Sequence, residues 1–120
     1  MVFKSAMTSD YSRMDSLSLI GQRISTLSDG NSLMRRMNNL KELNLASNKI
    51  VVVNQLNELK GLQTLILSSN RILEVQSLNL PMLTSLNLDR NKIKSITGLR
   101  GLKKLEELSL EGNQITDARM

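Results

Sequence analysis

Glu106, Glu107 and Glu111 lie within six residues of one another and are the carboxylates whose spacing could serve acid–base or metal chemistry. In an extended segment adjacent side chains point to opposite sides, so Glu106 and Glu107 part company and only Glu107 and Glu111 share a face. Two carboxylates there read as a solvated charged surface and not as a working pair. The chain contains no histidine and no cysteine, which removes imidazole bases, thiol nucleophiles and the usual zinc ligand sets together. Its six glycines are scattered among turns, and none builds a phosphate-cradling loop. The residues therefore point to a non-enzymatic protein that holds no cofactor or metal.

The other charged pattern is basic. Arg23, Lys49, Arg71 and Lys92 recur in step along the chain, with Gln114 closing the series, on a formal net charge of +5. Aligned cations can meet phosphates, so a nucleic-acid-associated protein with a basic loop edge is the second reading. It is disfavoured because no aromatic side chain accompanies the column to stack bases. The N-terminus has no apolar run of signal-peptide length, and no stretch is long enough to span a membrane. Intracellular placement, cytoplasmic or nuclear, is the expectation.

What positions these residues is a repeat. "LKELNLASNKI" at 40–50 is followed by "LQTLILSSNRI" at 62–72, "LTSLNLDRNKI" at 83–93 and "LEELSLEGNQI" at 105–115, at intervals of 22, 21 and 22 residues. Each has apolar residues at positions one, four, six and eleven and asparagine at nine. A weaker copy, "MDSLSLIGQRI" at 14–24, precedes them by 26 residues and carries Gln22 in place of asparagine. A fixed period of this length marks a stacked array, whose terminal copies are commonly atypical. The motif resembles the leucine-rich repeat, L-x-x-L-x-L-x-x-N-x-L. Its repeat length is similar to that of the subclass containing the repeat-type regulatory subunit of type-1 protein phosphatase, an axonemal dynein light chain and a spliceosomal repeat protein. The resemblance implies an α/β right-handed solenoid, with short parallel strands on a concave face and 3₁₀ or short helical turns on a convex face. Residues 14–120 would form this domain of about five repeats, and 1–13 an N-terminal segment, either a cap or partly disordered.

The residues support that architecture independently. Strand alternation in "LKELNLA" sends Leu43 and Leu45 inward and Glu42 and Asn44 outward. Between motifs, Ile50, Val53, Leu56, Leu59 and Leu62 recur every three residues, as do Ile93, Ile96, Leu99, Leu102 and Leu105, a spacing that suits 3₁₀ turns. The longer first interval places Leu33, Met34 and Met37 at helical spacing after Ser28 or Asp29 as cap, predicting an α-helical turn with Arg35 and Arg36 in solvent. Pro81 sits in the short third interval as a connector. The chain reaches Met120 soon after Ile115, leaving Leu105, Leu108, Leu110 and Ile115 at an uncovered edge. That edge implies either a fragment of a longer array or edge-mediated self-association.

The expected binding surface is the concave face, for a protein partner whose identity the residues do not give. Its open positions are Ser16 and Ser18, Glu42 and Asn44, Thr64 and Ile66, Ser85 and Asn87, and Glu107 and Ser109, with Asp89, Arg90 and Glu111 just beyond the strands. Glu42, Asp89, Glu107 and Glu111 outnumber Arg90, so this surface is acidic on a basic chain. Ile66 is the one apolar group at its middle, either an anchor for a partner or a filler between Asn44 and Asn87. The phosphatase-subunit resemblance implies aromatic and acidic residues on this face, and here only the acidic ones are present. Phe3 and Tyr11 precede the repeats and are expected to cover the open N-terminal end. The asparagines Asn48, Asn70, Asn91 and Asn113 are expected to be scaffold, bonding backbone groups of neighbouring turns.

Overall fold

The computed structural model describes residues 13–116, apart from the side chains of Asn31 and Ser32. Phe3 and Tyr11, and with them the proposed N-terminal cap, lie outside the described residues. Five three-residue strands follow in order: β1 (Ser16–Ser18), β2 (Glu42–Asn44), β3 (Thr64–Ile66), β4 (Ser85–Asn87) and β5 (Glu107–Ser109). They form one parallel sheet in sequence order, each strand beside the next. The strands stop after three residues because the motif's eighth residue turns left-handed. Gly21, Ser47, Ser69, Arg90 and Gly112 have φ between 54° and 75°. Only glycine adopts that region without steric cost, and the motif has glycine in its first and last copies alone.

The returning segments differ in form because the intervals differ in length. The first holds a 3₁₀ turn (Ser28–Gly30) running into the short α-helix α1 (Asn31–Met34), which buries Leu33 and Met34, and Met37 is buried just beyond the turn that ends it. Arg35 and Arg36 are exposed, and Arg35 Nε meets Glu58 Oε2 at 3.2 Å across to the next repeat. The second and fourth returns are 3₁₀ turns at Asn54–Glu58 and Thr97–Leu99, with the three-residue apolar series inward. The third, one residue short, has neither helix type, and the turn at Pro81 leads into β4.

The third return packs closely on the fourth. A Cβ placed on Gly98 would overlap the Val75 carbonyl oxygen, so the third return and the fourth touch through bare backbone. Only glycine permits that approach.

The core is a column of aliphatic side chains running the length of the stack. Leu43, Leu65 and Leu86, equivalent residues of three adjacent strands, are each at most 1% exposed. Burying each such leucine contributes about 1.5–3 kcal/mol, which only a stacked neighbour makes available. The equivalent Leu108 in β5 is 37% exposed, and Leu105, Leu110 and Ile115 are only partly buried.

The concave sheet face as candidate functional site

Parallel pairing sets the open side chains in two straight rows. Ser16, Glu42, Thr64, Ser85 and Glu107 are mutual register partners, and so are Ser18, Asn44, Ile66, Asn87 and Ser109. Every strand residue expected on this face is there. Glu42 and Glu107 are exposed, whereas Thr64, Ile66, Ser85 and Asn87 are half-buried by their neighbours. Ile66 is flanked in its row by Asn44 and Asn87. Shallow depressions lie to either side of it, one of about 160 Å³ over β1–β3 and one of about 480 Å³ between β4 and β5.

Several of these groups are already engaged with the fold. Asn44 Oδ1 accepts from Ala46 N at 3.0 Å and Asn87 Oδ1 from Asp89 N at 2.9 Å, so each amide braces its own turn and keeps its NH₂ for solvent. Asp89 departs from the expectation of an open charge. It is 9% exposed, and its Oδ1 accepts from Ser109 Oγ and from the Glu111 backbone N–H. Its carboxylate ties the fourth repeat to the fifth, because a buried carboxylate needs donors and the adjacent copy supplies two. Arg90 stays exposed, with Nε donating to Ser69 Oγ at 3.0 Å. The acidic character of the open face therefore rests on Glu42, Glu107 and Glu111.

Below the rows lies the asparagine ladder. Asn70 Oδ1 accepts from Ile50 N at 3.0 Å, and its Nδ2 donates to Leu45 O, Leu67 O and Ser68 O. Asn91 repeats the pattern one copy later, on Ile72 N, Leu67 O, Leu88 O and Asp89 O. Asn48 serves Gln22 N and Ile24 N besides its carbonyls. Each amide thus closes its own turn and fastens it to the preceding copy.

Comparison with known proteins agrees with this geometry. A family model described as Leucine Rich repeats (2 copies) matches residues 81–119, and a Leucine Rich repeat model matches residues 36–50. The chain is a leucine-rich-repeat protein. No curated protein sequence matches it significantly. Among solved structures, this leucine-rich-repeat chain is similar to the internalin InlF of Listeria monocytogenes, at 31% identity and a TM-score of 0.75 over 90% of this chain and 32% of the internalin. Internalin C2 of the same organism gives 32% identity and 0.74 over 89% of this chain and 46% of that one. A chain of the Drosophila melanogaster SNF/U2A′ complex gives 28% identity and 0.71, over 84% of this chain and 60% of that one. The leucine-rich-repeat chain described here thus spans less than two thirds of each of these structures.

Leucine-rich repeats serve protein–protein interaction, and the two rows of this leucine-rich-repeat protein have the character such a role needs. Rigid strands fix each side chain, and neighbouring copies hold equivalent positions side by side. Among the described residues no group of three or more carboxylates is arranged to hold a metal ion, and no helix is long and apolar enough to cross a membrane.

Proposed function

We propose that this solenoid is a non-catalytic interaction module that receives a partner protein on its concave face. The observation that carries the proposal is the registered pair of rows, with Ile66 as an apolar centre between half-buried polar neighbours and Glu42 and Glu107 toward either end. A central apolar group inside a polar surround is the arrangement expected of a binding hot spot. Glu111 extends the acidic surface, Arg90 borders it, and Thr64, Ser85 and Ser109 offer hydroxyl groups around the centre. Asp89 is left out of the contact set because its carboxylate is occupied within the fold. The similarity to a chain found in the SNF/U2A′ complex supports a protein partner by analogy. A finer reading, as regulatory or scaffold subunit of a phosphatase or of a cytoskeletal or axonemal complex, rests on repeat length alone.

The test is interface mapping with the 120-residue chain and its captured partners. Ile66→Arg, and separately Glu107→Lys with Glu111→Lys, are expected to abolish capture while the circular dichroism spectrum and urea midpoint stay unchanged. A complex that survives both with undiminished affinity, or whose hydrogen-exchange protection misses β2–β4, would overturn the assignment.

The nucleic-acid alternative keeps one favourable observation, the exposed row of Lys49, Arg71 and Lys92 in register. It predicts salt-sensitive retention of oligonucleotides that weakens with Arg71→Glu and Lys92→Glu. No retention at low salt ends that reading.

A further inference from the structure

The flank beyond the asparagine turns carries a second surface of different chemistry. The motif's eleventh residue is a fully buried isoleucine at 24, 50, 72 and 93, and the tenth residue beside it is exposed in every copy. Hydrogen bonds from Lys49 N to Ile24 O, Arg71 N to Ile50 O and Lys92 N to Ile72 O, all 2.8–2.9 Å, keep successive copies in step. Positions ten and twelve therefore make two adjacent rows. The tenth is basic, whereas the twelfth has Val51 and Leu73 at its middle and Lys94 next.

The apolar group is concentrated. Val51 is 41% exposed, Val52 40% and Leu73 53%, which is half of the six large hydrophobics exposed among the described residues. Scattered apolar side chains need no explanation, but contiguous ones mark contact sites. These three line a groove of about 420 Å³ whose charged lining is Lys92, Lys94 and Glu74. Among the described residues neither lysine lies within ion-pair distance of a carboxylate, the Arg35–Glu58 pair being elsewhere.

We infer that this groove docks a short acidic-apolar segment of a partner protein, with aliphatic side chains against Val51, Val52 and Leu73 and carboxylates against Lys92 and Lys94. Charge complementarity selects that occupant. Lysines without internal partners attract carboxylates, and the aliphatic floor rewards burial of leucine-like groups while offering nothing on which a base could stack. The acidic concave face repels the same segment, so the two surfaces choose different ligands. This inference does not depend on the concave-face reading.

The experiment titrates the whole chain with short fluorescein-labelled peptides combining leucine and glutamate, followed by anisotropy and by backbone amide shifts. Controls replace glutamate by lysine, or leucine by serine. The expected result is saturable binding with a Kd below about 1 mM, shifting the amides of Val51, Val52, Leu73 and Lys94 and sparing Glu42 and Ile66. Leu73→Asp should weaken it at least about tenfold, and Lys92→Glu with Lys94→Glu should weaken it and flatten its salt dependence. Ile66→Arg should leave it unchanged, which separates failure of this inference from failure of the concave one. Leu73→Ser replaces Leu73→Asp if the latter unfolds. Equal binding of either control peptide, shifts confined to the concave rows, or no binding would overturn the inference. So would a single-stranded oligonucleotide that binds through the same lysines where the peptides do not.

Discussion

Asn44 and Asn48 are four residues apart in one motif, as are Asn87 and Asn91, yet the two members of each pair do opposite things. Asn48 and Asn91 are at most 7% exposed and join two copies of the repeat through several hydrogen bonds each. Asn44 and Asn87 are half-buried on the open sheet and accept a single bond from their own turn. The residue type is the same and the burial decides the role. A buried amide must spend all its donors and acceptors on the fold, whereas one at the surface can hold some for a ligand. The scaffold and the binding face are therefore distinguished by what neighbouring copies leave uncovered.

Four tests, using five substitutions, probe that division in decreasing order of effect. The strongest acts where the backbones of adjacent copies touch. Gly98→Ala puts a methyl group into the Val75 carbonyl and is expected to cost more than about 3 kcal/mol, or to prevent folding, in urea denaturation. Next comes a paired comparison along one core row. Leu65→Ala should cost about 2–5 kcal/mol, because Leu65 is fully buried. Leu108→Ala, at a site already 37% exposed, should cost well under half as much. Equal losses would mean that the last repeat is covered in solution. Third, Asn70→Ala should cost about 1–3 kcal/mol by stranding buried backbone groups and leave partner capture at a permissive temperature nearly unaltered. A stable Asn70→Ala protein without capture would move the ladder into the site. The smallest effect belongs to Asn44→Ala, expected within about 0.5–1 kcal/mol of the parent in thermal melts, so that any larger change is read in partner affinity.

Much of this was legible in the chain before its fold was known. Leu43, Leu65 and Leu86 recur at one motif position, and identical positions in stacked copies must meet, which places both the core column and the open rows. Asn48, Asn70, Asn91 and Asn113 were recognisable as scaffold for the same reason. Asp89 was not recognisable as buried, since its environment depends on Ser109 and on the Glu111 amide in the next copy. The left-handed eighth residue had a faint signal in Gly21 and Gly112 but none in Ser47, Ser69 or Arg90. The flank groove was hidden because Val51, Val52 and Leu73 lie outside the conserved spacing of the motif itself.

The sequence by itself determined the period, the direction in which each strand residue points and the acidic bias of the concave face, because alternation along a strand and repetition along a stack are local rules. Only the tertiary structure decided which open-face groups are spent internally, why Gly98 admits no side chain, and where Val51, Val52 and Leu73 meet Lys92 and Lys94. Those outcomes depend on contacts between copies of unequal length. A repeat pattern fixes that neighbours will touch, and the actual distances between their side chains fix what remains free to bind.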